Sequence, residues 1–193
     1  FKSPLLAIQL LWVNLVTDSL PAIALGLEPA EKDIMNRKPV NSRKGLFADG
    51  LWSKIITEGI LIGALTLVAF SIGNKWYGLE VGRTMAFVAI GVLELVHSFN
   101  IKSDKSIFKV GILENKFLLG SFILGVFVQT IVVIIPMLAN IFKLVPLNFI
   151  QWGITLLISI IPIPVIELQK KINASRLENV IDNGTGILSK SRG

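Results

Sequence analysis

Apolar residues along this chain fall into long blocks. They do not alternate as in a strand, and they do not form the single stripe of a surface helix. A helix needs about 20 consecutive, mostly apolar residues to cross the hydrocarbon core of a bilayer. Five stretches are of that kind: Pro4 to Leu27, Leu51 to Ile72, Thr84 to Phe99, Lys116 to Leu138 and Leu147 to Leu168. Five such helices in 193 residues leave too little amphipathic sequence to wrap them in a soluble core. The pattern predicts an all-α fold, a polytopic membrane helix bundle of five transmembrane helices over residues 1–172. Residues 173–193, rich in Asn, Ser and Gly, are expected to form a cytoplasmic tail, partly disordered.

The segments between the blocks set the topology. Cytoplasmic loops carry the excess of Lys and Arg, and 15 of the 19 basic residues lie after the first block, after the third or in the tail, leaving Lys2, Lys75, Arg83 and Lys143 on the other side. The N-terminus is therefore expected outside and the C-terminus in the cytoplasm. The short outer connectors NKWYGLEVGR and ANIFKLVPLN predict antiparallel hairpins. Trp52, Trp76 and Trp152 fall near block ends, where amphipathic rings favour the interface. Gly59, Gly63 and Ala64, with Gly120 and Gly125, are small enough to permit close helix approach, and Pro162 with Pro164 should kink the last helix.

Composition agrees: 52% of residues are hydrophobic, 17% are charged and the mean hydropathy is +0.69. The net charge of +6 is accounted for by topology, and no basic face with aromatic readout residues suggests nucleic acid. With no cysteine and one histidine, disulfides, thiolate metal centres and multi-histidine sites are excluded. Phe1 stands directly before an apolar block, without an initiator Met or a signal peptide, so the chain reads as part of something longer.

The first block carries the unusual chemistry. Within LLAIQLLWVNLVTDSLPAIALGL, Asn14, Thr17 and Asp18 lie at i, i+3 and i+4 and share one helix face. An amide, a hydroxyl or carbonyl, and a carboxylate make an oxygen-only set suited to a hard cation such as Ca²⁺. Helix-breaking Pro21 has no N–H for the Thr17 carbonyl and clashes with it, so that carbonyl is expected to be freed and the helix bent, as at the cation sites of transporters. A carboxylate at a helix centre costs about 2.5 to 3.5 kcal/mol on insertion scales. The competing reading makes Asn14 and Thr17 interhelical glue, Asp18 the partner of a lysine, and Pro21 a plain kink. Glu94, inside the third block, is a further cation ligand or a proton carrier, or else a protonated acid bonding two helices. His97 reads as an interfacial histidine, Glu58 as snorkelling or paired with Lys54, and Gln129 and Thr130 as helix contacts.

QLLWVNLVTDSLPAIALGLEP closely resembles the sixth transmembrane helix of P-type calcium-transporting ATPases of the sarcoplasmic/endoplasmic reticulum type and their bacterial relatives. PAEKDIMNRKPVNSRKGLF is similar to that family's connector between helices six and seven, TMAFVAIGVLELVHSFN to helix eight, and LVPLNFIQWGITLLISIIPIPVIELQKKI to the end of the bundle. The resemblance covers residues 1 to about 172. It implies that Asn14, Thr17 and Asp18 are ion ligands, Asp18 being shared by two calcium sites, and that Glu94 completes the inner site. Ser19 departs from the Gly common in animal reticulum pumps.

The resemblance implies five of ten helices of an ATP-driven Ca²⁺ export pump, with protons returned in exchange. The partners expected are the lipid bilayer and the N-terminal helices and cytoplasmic domains of the same pump, with ATP and Mg²⁺ belonging to those domains. No catalytic residue falls in this chain, which should be inactive alone; the membrane would be the plasma membrane if the source is bacterial. The connector from Glu28 to Gly45 is expected to relay ion occupancy to the phosphorylation domain, or simply to fix topology. Alternatives are a secondary cation transporter or channel subunit without ATP hydrolysis, a non-transporting scaffold, and a P-type pump for Mn²⁺ or Na⁺.

Overall fold

A computed structural model describes residues 3–27, 35, 51–101 and 115–172. The connector from Glu28 to Gly45, apart from Met35, and the tail 173–193 lie outside the described residues. Within them the chain is helical with no strand, and five helices are long and apolar enough to cross a membrane: Ala7–Gly26, Leu51–Tyr77, Leu79–Ile101, Lys116–Ile134 and Phe149–Ile172. It is a multi-pass membrane protein.

The first span is made of three pieces: α1 (Ala7–Trp12), a π-helical turn (Val13–Asp18) and α2 (Ser19–Gly26). Next come α3 (Leu51–Tyr77) and α4 (Leu79–Ile101). The outer connector expected between them shrinks to one residue outside the helices, Gly78, whose φ of +99° is a conformation that only glycine adopts freely. α5 (Lys116–Ile134) opens on Asn115, whose side chain accepts from Leu118 N. The fourth apolar block is divided at Ile135, held extended before Pro136 because the proline ring disfavours a helical residue ahead of it. α6 (Pro136–Ile141) then ends in a Schellman closure, with Leu144 N donating to Ala139 O at 2.8 Å and Lys143 in the left-handed region. α7 (Phe149–Ile160) begins on an Asn148–Gln151 capping box. It is interrupted at Ile161, where the Ile161 N–H takes the Ile158 carbonyl that Pro162 cannot serve, and helix resumes to Ile172.

α4 is the central element. Of its membrane-length window 78% is buried, against 17 to 33% in the other four spans. It is apolar nearly all round and packs against α3, α5, α7 and the π turn, as a helix without a polar face should. The first span runs parallel to it and antiparallel to α5. Ser3 O accepts from Arg83 Nε at 3.0 Å, Thr17 meets Glu94, and Asn115 Nδ2 donates to Ala24 O at 3.2 Å.

The glycines expected at helix contacts are mostly elsewhere. A Cβ at Gly59, Gly63 or Gly120 would meet nothing within 4 Å, and Ala64 is exposed. Only Gly125 of that set sits against a neighbour, Leu95. The tight crossing is between α3 and α4, where a Cβ on Gly73 would come within 2.6 Å of Gly82 Cα, and one on Gly82 within 2.7 Å of Asn74 N. Adjacency to Gly78 forces this: helices joined by one residue diverge from backbone contact. Gly59, Gly63 and Ala64 are instead exposed.

Candidate cation site

The first span keeps its helical hand through the polar motif but widens. Asp18 and Ser19 remain right-handed, at φ −88° and −67°, so the bend expected from Pro21 takes the form of a π turn rather than an extended break. Such turns insert one residue into the helical ladder and frequently mark functional sites. Pro21 sits in the first turn of α2, buried, where a missing N–H costs least. Ser19, the residue that departs from Gly, donates its hydroxyl to Asn14 O at 3.1 Å and so satisfies a carbonyl of the widened turn.

Thr17 is fully buried. Its Oγ1 lies 2.8 Å from Val13 O and 3.0 Å from Glu94 Oε2. The other described threonines of the helices return their hydroxyls to their own helix, as Thr66 does to Ile62 O and Thr155 to Gln151 O. Thr17 also reaches a carboxyl on another. One hydroxyl hydrogen cannot serve two acceptors fully. Both contacts are satisfied together when Glu94 carries a proton and donates it to Thr17 Oγ1. The Asp18 carboxyl lies close enough to Glu94 for the two to interact electrostatically.

Thr17, Asp18 and Glu94 are therefore brought together, and Asn14 is not part of that contact. Asn14 and Asp18 are exposed on a face of the first span that no described element covers. Among the described residues no lysine or arginine pairs with Asp18. The described residues contain no group of three or more His, Cys, Asp or Glu able to hold a metal. A Ca²⁺ ion takes 6 to 8 oxygens, more than the two carboxyls and one hydroxyl brought together here.

The Glu58 contact differs from the sequence reading, whereas Gln129 is a helix contact as expected. Glu58 is buried and meets His97, Nε2 to Oε2 at 3.2 Å, so the expected pairing with Lys54 gives way to a bond between α3 and α4. Gln129 joins three helices: its Oε1 accepts from Trp12 Nε1 at 2.9 Å and its Nε2 donates to Phe87 O at 2.9 Å. An amide inside the apolar run FVQTIVV was the available signal, but the sequence could not name its partners. Thr130 bonds only within its own helix, to Val126 O.

The chain as a whole is similar to known proteins. A calcium-transporting ATPase of Bacillus cereus is 43% identical over 188 residues, covering 88% of this chain and 21% of the relative. One from Bacillus subtilis is 37% identical over 161 residues, 82% and 18%. One from Listeria monocytogenes is 34% identical over 171 residues, 87% and 19%. The chain thus spans about a fifth of the length of these relatives. Residues 2–172 match the family described as cation transporting ATPase, C-terminus, and with a match of that extent this chain belongs to it.

Proposed function

We propose that this chain is the C-terminal membrane part of an ATP-driven Ca²⁺ export pump and supplies part of its intramembrane cation sites. The observation that carries the reading is the Thr17 hydroxyl held against Glu94 with the Asp18 carboxyl beside them. Oxygen donors are thereby gathered at membrane depth on a widened helix, with one face left for further ligands. In this reading Asp18 bridges cations, Asn14 and Thr17 complete its side of the shell, and Glu94 binds the inner ion and carries a proton on the return stroke. ATP, Mg²⁺ and the phosphorylated aspartate belong to domains outside this chain, which are its partners with the lipid bilayer. The N-terminus lies outside and the C-terminus in the cytoplasm, in the plasma membrane if, like the relatives named above, the source is bacterial.

Oxygen ligands also suit Mn²⁺ and Na⁺. Ca²⁺ is preferred because the relatives are named for it. The same names disfavour a carrier or channel without ATP. In the full-length protein Asp18→Asn should abolish calcium-dependent phosphorylation by ATP. Full calcium-stimulated activity in that variant would overturn the assignment.

A further inference from the structure

We infer that Gln129 is a positioning residue for the cation site, setting the register in which Thr17 meets Glu94. The inference rests on the proposed function only for its consequence in ion affinity.

Gln129 is 1% exposed and uses both ends of its amide, one toward Trp12 and one toward the Phe87 carbonyl. Gly91 makes room for it: a Cβ there would lie 2.7 Å from Gln129 Nε2. Trp12 is the last residue before the π turn and Thr17 lies within it. Phe87, Gly91 and Glu94 stand at i, i+4 and i+7, one face of α4. The first span and α4 are therefore joined by two rungs, an outer one through the Gln129 amide and an inner one from Thr17 to Glu94. Thr17 stands five positions after Trp12, about 1.4 turns of α-helix, which would swing Thr17 off the face that Trp12 presents. A turn closed over i→i+5 brings the fifth residue back toward that face. The outer rung anchors the turn at its start, so the position of Thr17 depends on it.

The test uses the full-length protein. Infrared spectroscopy reads the Glu94 carboxyl stretch, assigned by its loss in Glu94→Gln, and Ca²⁺ titration reads half-saturation. Gln129→Leu should shift the Glu94 band in the direction that Thr17→Val does and raise half-saturating Ca²⁺ about 3- to 10-fold, as the loss of the amide's two interhelical hydrogen bonds implies. The maximal rate should fall by a smaller factor. Gln129→Glu, which when protonated keeps one donor and one acceptor, should restore both readouts, and Thr130→Val should change neither. A Glu94 band in Gln129→Leu that matches the wild type overturns the inference, as does a band insensitive to Thr17→Val. If the wild type binds no Ca²⁺, the pump reading fails while the infrared comparison still decides the role of Gln129.

Discussion

Glu58 and His97 show what single buried polar groups do here. Each would be costly alone among apolar helices, and together they join α3 to α4 at 3.2 Å. Interhelical hydrogen bonds in membranes are worth about 0.6 kcal/mol on average and about 1.7 at most, so this pair orients more than it stabilises. Glu58→Ala should lower unfolding stability in detergent by about 1 kcal/mol and leave the Ca²⁺ dependence of phosphorylation in place, since Glu58 is not among the gathered oxygens. A loss of Ca²⁺ dependence would move Glu58 into the site. Thr17, Asp18 and Glu94 each stood out in the sequence because oxygen donors inside an apolar block are rare, but that Thr17 meets Glu94 did not. Nor was the partner of Glu58 legible. Lys54 is its neighbour in sequence, whereas His97 becomes one only after α3 folds back on α4.

At the scale of elements, the two features that matter most are the π turn and the α3–α4 crossing. Pro21 announced a local disturbance, but its form depended on Ser19, which caps the Asn14 carbonyl, and on Glu94 drawing Thr17 inward. Neither is visible in helical spacing. The helix blocks were read from hydropathy, and their ends were not: Gly78 alone reverses the chain, because a glycine at positive φ needs no loop around it. Gly82→Ala would push a methyl against Asn74 N and Phe70 O, backbone atoms that cannot yield separately. It should cost about 1 to 3 kcal/mol, as overpacking does, measured by thermal unfolding in detergent. Gly63→Ala, facing open space, should cost nothing measurable and could gain through helix propensity. Equal losses in the two variants would contradict the crossing described here.

Over the whole molecule, α4 is the post on which the other spans lean, and it carries Glu94 on the side where the first span lies. α3 and α7 pack against it as well, without contributing oxygens to the described site. Among the described residues nothing covers the face of the first span that bears Asn14 and Asp18, and in the proposed reading ligands from outside the chain complete a shell there. The most direct measurement is equilibrium Ca²⁺ binding to the full-length protein at saturation, with wild type, Glu94→Gln and Asp18→Asn compared side by side. The account predicts fewer ions bound per protein in Glu94→Gln than in wild type, and none in Asp18→Asn. Wild-type stoichiometry in both variants would contradict it.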